Sequence, residues 1–201
     1  MPIALEDGLW WPVGDKHCRR VRGEFRDVER ALKYVEDRTV CVQAGGNCGL
    51  WARYLAGQFQ EVWTIEADFN NYRCLLRNCS GHPNVRPVWA ALTRMSGYGV
   101  ELERDPENIG AHYVNGNGGI GTLTIDELEL EACDLITLDI EGMEPHALAG
   151  AARTIERFKP VLMVEDKGLS IKYGWPQGWA GNLAGYRVVE AVHRDVVLVP
   201  C

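Results

Sequence analysis

Residues 39–51 read TVCVQAGGNCGLW, and the fold follows from how this stretch is parsed. Thr39-Val40-Cys41-Val42 is short, apolar and β-branched, the pattern of a strand buried on both faces. Gly45, Gly46 and Gly49 follow, and from Leu50 to Ala56 apolar residues recur at helical spacing. Strand, glycine turn and helix in that order form the first half of a nucleotide-binding βαβ unit. Glycine allows positive φ and a close approach of ligand to backbone, while the helix start presents unpaired N–H groups. The dinucleotide fingerprint G-x-G-x-x-G is not met, because Asn47 interrupts its spacing.

Working outward, Glu61 to Ile65 reads as the next strand and ends at Glu66, 21 residues beyond Gly45. An acidic residue about 20 residues on, at the tip of the second strand, is where such folds hydrogen-bond the ribose hydroxyls. Alone, Glu66 reads equally as a surface acid at a strand end. Coupled to the glycine turn, the ribose role is the better reading.

Upstream, residues 1–22 look irregular, with Trp10-Trp11-Pro12 as either a packing arm or a lid, and His17 as a surface histidine or a base. Phe25, Val28, Leu32 and Val35 predict a helix from about 24 to 37. Downstream, Asn70 to Cys79 reads as a helix and Val85 to Leu92 as a third strand region. Residues 93–121 break the βα rhythm and read as a small hairpin and a glycine-rich loop. Thr124 with Glu127 forms a capping box. Asp134 to Asp139 is a fourth strand, followed by a helix that Pro145 starts. Val161 to Val164 is a fifth strand, ending in Glu165-Asp166-Lys167. Tyr186–Val192 and Asp195–Val199 predict a terminal hairpin, whose last strand would run antiparallel on a mostly parallel sheet. Glu66, Asp139, Glu165 and Asp166 therefore all stand at the carboxyl ends of strands, where open α/β sheets bind ligands.

Length and composition set the outer bounds. The chain of 201 residues suits one domain, here 1–201, with a full α/β core. A net charge of −7 argues against a nucleic-acid partner, since phosphate binding relies on clustered Lys and Arg. The seven cysteines are odd in number and contain no C-x-x-C pair, the pattern of reduced thiols and a cytoplasmic location. No run approaches the ~18 apolar residues of a membrane helix, so no membrane partner is expected.

With these motifs in place, the sequence resembles the FkbM-type family of class I S-adenosylmethionine-dependent methyltransferases. The carriers are VQAGGNCGLW at 42–51, TIEAD at 64–68, NVRPVWAAL at 84–92, TLTIDEL at 122–128, LITLDIEGMEPHALAGA at 135–151 and KPVLMVED at 159–166. The resemblance implies a Rossmann-like α/β fold: a seven-stranded, mostly parallel sheet with a C-terminal antiparallel hairpin and helices on both faces. It implies methyl transfer from S-adenosylmethionine to an oxygen of a small molecule or sugar. Gln43, Gly45, Gly46, Asn47 and Gly49 would then line the methionyl and ribose side. Glu66 would bind ribose, with Ala67 and Asp68 beside it, and Trp89 and Ala90 would border adenine. Asp139 and Glu141 would face the methyl group and the acceptor as the catalytic pair. The family usually has aspartate where this chain has Gln43, which loses charge assistance toward the methionyl ammonium. Catechol O-methyltransferase, a class I relative, is similar at the ends of strands four and five. By that likeness Asp139, Glu165 and Asp166 would hold a divalent metal such as magnesium. Two other readings remain: a nicotinamide-dependent oxidoreductase, and a module that binds the cofactor without turnover.

Overall fold

The computed structural model describes residues 2–15, 27–105 and 107–201. Its centre is a seven-stranded mixed sheet. Five strands are mutually parallel: β3 (Val40–Ala44), β4 (Glu61–Glu66), β5 (Val85–Trp89), β10 (Leu135–Leu138) and β11 (Val161–Glu165). The terminal hairpin, β12 (Tyr186–Val192) with β13 (Asp195–Pro200), adds the last two, and β13 runs antiparallel to β11. The sheet order is β12-β13-β11-β10-β3-β4-β5.

Every residue of β3 is buried, because apolar layers cover both faces of the sheet. On one face Val42, Ile136, Leu138, Leu162 and Leu198 pack with Ala147 and Leu148 of α4 (Glu144–Ala149). On the other, Cys41, Val62, Leu135 and Met163 meet three helices: α1 (Val28–Leu32), α2 (Leu50–Ala56) and α3 (Phe69–Asn78). Burial of one such Leu or Ile stabilises the fold by roughly 1.5–3 kcal/mol. The sheet is therefore a rigid base for whatever its rim carries.

The register decides what that rim is. Ala44 pairs with Ile65 and with Leu138, and Leu138 pairs with Val164. The next residues, Gly45, Glu66, Asp139 and Glu165, thus stand side by side at the carboxyl ends of the strands. At Gly45 the approach is closer than any side chain allows: φ is +82°, and an added Cβ would lie 1.9 Å from the Asp139 carbonyl oxygen. That contact explains why the turn starts with glycine.

Four regions differ from their sequence reading. The start of the chain is a hairpin, β1 (Ile3–Glu6) and β2 (Leu9–Pro12), rather than an irregular arm. Asp7 and Gly8 both have positive φ, the turn that the Asp-Gly pair favours. The helix expected over 24–37 is seen as Val28–Leu32, and His17 and Phe25 fall outside the described residues. Residues 91–123 hold β6 (Ala91–Leu92), β7 (Gly99–Glu103), β8 (Tyr113–Asn117) and β9 (Ile120–Leu123). These form a second sheet in the order β6-β9-β7-β8, where a hairpin and loop were expected. Finally, the helix after Pro145 divides into α4 and α5 (Ala152–Phe158). Gly150 packs against the Thr93 carbonyl there, and the Asp126 carboxylate caps α5 by accepting N–H bonds from Arg153 and Thr154.

Candidate active site

One cleft of about 310 Å³ opens at the carboxyl rim of the sheet. Its floor is Gln43 to Asn47, one wall is Ile65 to Ala67 with Ala90 to Leu92, and its far end is Asp139 to Glu141 with Glu165, Lys167 and Arg194. Ile109 to His112 and Trp11 form the cover.

Glu66 ends β4 and is buried. One carboxylate oxygen accepts the Asn47 N–H at 2.7 Å and the other accepts the Asp68 N–H at 2.6 Å. Burial pushes the Glu66 carboxyl up to about 7 despite these donors. Asn47 has a positive φ of 46°, and its side-chain oxygen accepts the Cys48 N–H at 2.7 Å. The loop from Gly45 to Cys48 is therefore folded onto the acid that closes the next strand.

Gln43 also lines the cleft, but both ends of its amide are engaged within the protein. Its NH₂ donates to the Gly45 carbonyl at 2.9 Å, and its oxygen accepts the Thr64 hydroxyl at 2.5 Å.

At the far end Asp139 is exposed, whereas Glu141 and Glu165 are largely covered. Glu141 sits at φ 56°, an uncommon conformation for a non-glycine residue, directly before Gly142 at φ 103°. The turn is held from below: one oxygen of buried Glu144 accepts the N–H of Ile140 at 2.8 Å and of Gly142 at 3.2 Å. Burial raises the Glu144 carboxyl to about 7 and also raises Glu141. Glu165 is raised further, to about 9, by burial and then by repulsion from Asp139. Lys167 Nζ lies 2.9 Å from Glu141 and 2.5 Å from Glu165, and Arg194 lies 3.8 Å from Glu165.

Four residues expected in the site lie outside the cleft. Asp68 is the buried N-cap of α3 and pairs with Arg104 at 2.7 Å and His112 at 3.6 Å. Trp89 is exposed, donates its indole N–H to Ala67 and packs on Phe69 with ring centroids 4.8 Å apart. Gly49 shapes the start of α2, where an added Cβ would meet Cys79 Sγ at 2.9 Å. Asp166 follows the end of β11, accepts a 3.4 Å hydrogen bond from Ala180 and is not among the three acids, Asp139, Glu141 and Glu165, that cluster here. The metal set of Asp139, Glu165 and Asp166 is therefore not assembled.

The residues missed by sequence reasoning are Lys167, Arg194 and Ile109 to His112, whereas Trp11 had been weighed as a packing arm or a lid and does line the cleft. Lys167 carried a weak signal, as the charge directly after the acidic strand end; the others come from distant turns. The covering loop is tied on both sides: the Ile109 N–H donates to Asp15 at 3.3 Å and its carbonyl accepts from Asn71 at 3.0 Å.

A family model described as the Methyltransferase FkbM domain matches residues 43–178, which include Gly45, Glu66, Asp139 and Glu165. The chain belongs to the FkbM methyltransferase family. The family is one of S-adenosylmethionine-dependent methyltransferases. The solved methyltransferase FkbM from Methylobacillus flagellatus KT superposes with a TM-score of 0.55 at 22% identity, over 82% of this chain and 44% of that one. The chain thus spans less than half the length of that relative. A precorrin-6y C5,15-methyltransferase from Geobacter metallireducens GS-15 gives 0.53 at 15% identity, over 97% and 94% of the two chains. A SAM-dependent methyltransferase from Aquifex aeolicus gives 0.51 at 14%, over 94% and 95%. At these identities the FkbM-family chain shares the fold with them. No curated protein matches it. Among its described residues, no helix is long and apolar enough to cross a membrane.

Proposed function

We propose that this FkbM-family chain binds S-adenosylmethionine in the rim cleft and methylates a hydroxyl oxygen of a small molecule or sugar. The observation that carries the reading is the meeting of three features in one cleft: the glycine turn, the Glu66 carboxylate and the Asp139-Glu141 pair.

The lining chemistry fits the cofactor. Each Glu66 oxygen has taken one backbone donor and retains acceptor capacity for ribose hydroxyls. Ala90, Ala91, Leu92, Leu102 and Ile109 offer an apolar slot for a flat base. Asp139, the exposed carboxylate at the far end, favours a cationic centre beside it.

When bound, the cofactor supplies a methyl group on a positively charged sulfur, already an activated donor. The chain's task is then to align the acceptor and to take its proton. Asp139 is the exposed carboxylate at that end and receives the proton as the acceptor oxygen gains the methyl group. Glu141, held by Lys167, orients the acceptor. Trp11 and the Ile109–His112 cover exclude water. The net charge of −7 supports a small-molecule substrate over a nucleic acid, and the six free thiols among the described residues support a cytoplasmic setting.

The test is transfer of labelled methyl from S-adenosylmethionine to a panel of sugars and small alcohols. The proposal expects a methyl ether, with Asp139→Asn slower by about 10²–10⁴-fold, the usual worth of a general base. Transfer to nitrogen, or an Asp139→Asn variant as fast as wild type, would contradict it.

A further inference from the structure

Asp139, Glu141 and Glu165 each turn one carboxylate oxygen to a common point, and the three oxygens lie within 4.8 Å of one another. Such a spacing suits a hard divalent cation, whose oxygen ligands stand at about 2.0–2.6 Å. A cation of the chain itself already stands beside two of these three carboxylates. Lys167 Nζ is 2.9 Å from Glu141 Oε2 and 2.5 Å from Glu165 Oε2, and all three side chains are largely covered. Arg194 adds a second positive charge, 3.8 Å from the other oxygen of Glu165. Asp166, which would have completed a metal set, faces Ala180 instead. A magnesium ion among these carboxylates would stand against the ammonium, or displace it and leave a largely covered lysine without its two partners.

We propose that Lys167 is the resident cation of this end of the cleft, standing in place of a divalent metal and offering a hydrogen bond to the acceptor oxygen. An ammonium has three donors. Glu141 and Glu165 both stand within ion-pair distance of it, and Lys167 also lines the cleft where an acceptor would sit. A single hydroxyl then satisfies the site, and an adjacent pair of oxygens has no metal to chelate. The part concerning the acceptor rests on the methyltransferase reading; the exclusion of metal does not.

The experiment titrates Mn²⁺, followed by the spin-resonance signal of the free ion, into wild type, Lys167→Arg and Lys167→Met. S-Adenosylhomocysteine binding is measured on each variant in parallel. Wild type and Lys167→Arg are expected to leave the free signal unchanged. Lys167→Met exposes three carboxylates and is expected to bind one ion about tenfold or more tighter than wild type, an affinity that Asp139→Asn in the same background removes. A Lys167→Met protein that folds and binds no ion would overturn the proposal. Wild-type binding that Asp139→Asn removes would overturn it too, whether or not Lys167→Met folds. Failure of the methyltransferase reading shows separately, as a wild type that does not bind S-adenosylhomocysteine.

Discussion

The Glu66 carboxylate accepts the backbone N–H of Asn47 at 2.7 Å, so the acid that ends β4 also holds the glycine turn that follows β3. Burial raises this carboxyl to about 7. Its ionised form is disfavoured in the fold, so the penalty is full above about 7 and fades as pH falls toward the ordinary carboxylate range. Under the proposed function ribose hydroxyls would donate to the anion, and cofactor affinity should then run the opposite way and weaken as pH drops below about 7. Calorimetry across pH 5.5–8.5 checks this (about the range spanning the Glu66 titration). Glu66→Gln should flatten the profile, and Glu66→Ala should weaken binding by roughly 1.5–3 kcal/mol, the scale of a hydrogen bond to a charged group.

By the resemblance noted in the sequence, Gln43 stands at a position where an aspartate would be expected, and restoring that acid promises tighter cofactor binding. The structure gives a different expectation. Gln43→Asp removes the donor to the Gly45 carbonyl and brings a carboxylate against that oxygen. The variant should lose about 1–3 kcal/mol of stability, the cost of an unsatisfied buried group, with no gain in cofactor affinity. Urea unfolding and calorimetry decide it; a tenfold tightening would show that this side chain faces the methionyl ammonium.

Glu144 holds Ile140 and Gly142 through one carboxylate oxygen. Glu144→Gln keeps an acceptor there and should leave stability within ~1 kcal/mol. Glu144→Ala leaves two backbone donors unpaired and should cost about 2–4 kcal/mol. Since that turn aims Asp139 and Glu141, methyl transfer should fall more in the alanine variant than cofactor affinity does.

His112 and Arg104 both pair with buried Asp68, tying the cleft's cover to the start of α3. Burial opposes the charged imidazole, but Asp68 outweighs it and raises the His112 pKa above its ordinary value near 6.5. A histidine raised in this way stabilises the fold fully below 6.5, and that contribution is lost as pH rises through its folded pKa. Hydrogen exchange at residues 109–114 should therefore speed up above pH 6.5, beyond the intrinsic pH effect. His112→Gln should abolish the excess.

The legible parts of this protein are those in which neighbouring residues carry the information. Gly45 and Glu66 were readable because a buried strand, a glycine turn and an acid at fixed spacing are local signals, and the parallel register then brings them together. The capping box at Thr124 was equally local. Lys167 was not readable as a partner of Glu141, because that pairing depends on the positive φ of Glu141 and on Glu144 beneath it. Trp89 misled because an aromatic residue at a strand end suits a base, yet alternation turned it outward while Ala90 faced the cleft. The second sheet was hidden by its glycines: Gly99 and Gly118 pack backbone to backbone, where an added Cβ at Gly99 would meet the Gly118 carbonyl at 2.0 Å. The Asp7-Gly8 turn was a readable hairpin signal overshadowed by the tryptophans beside it.

Cofactor binding in the rim cleft is tested most directly by calorimetric titration of the wild-type chain with S-adenosylmethionine, S-adenosylhomocysteine and NAD, repeated on Glu66→Ala. One site is expected for the two sulfur ligands, weakened in Glu66→Ala by roughly 1.5–3 kcal/mol, with no binding of NAD. Binding of NAD with no heat from either sulfur ligand would contradict it.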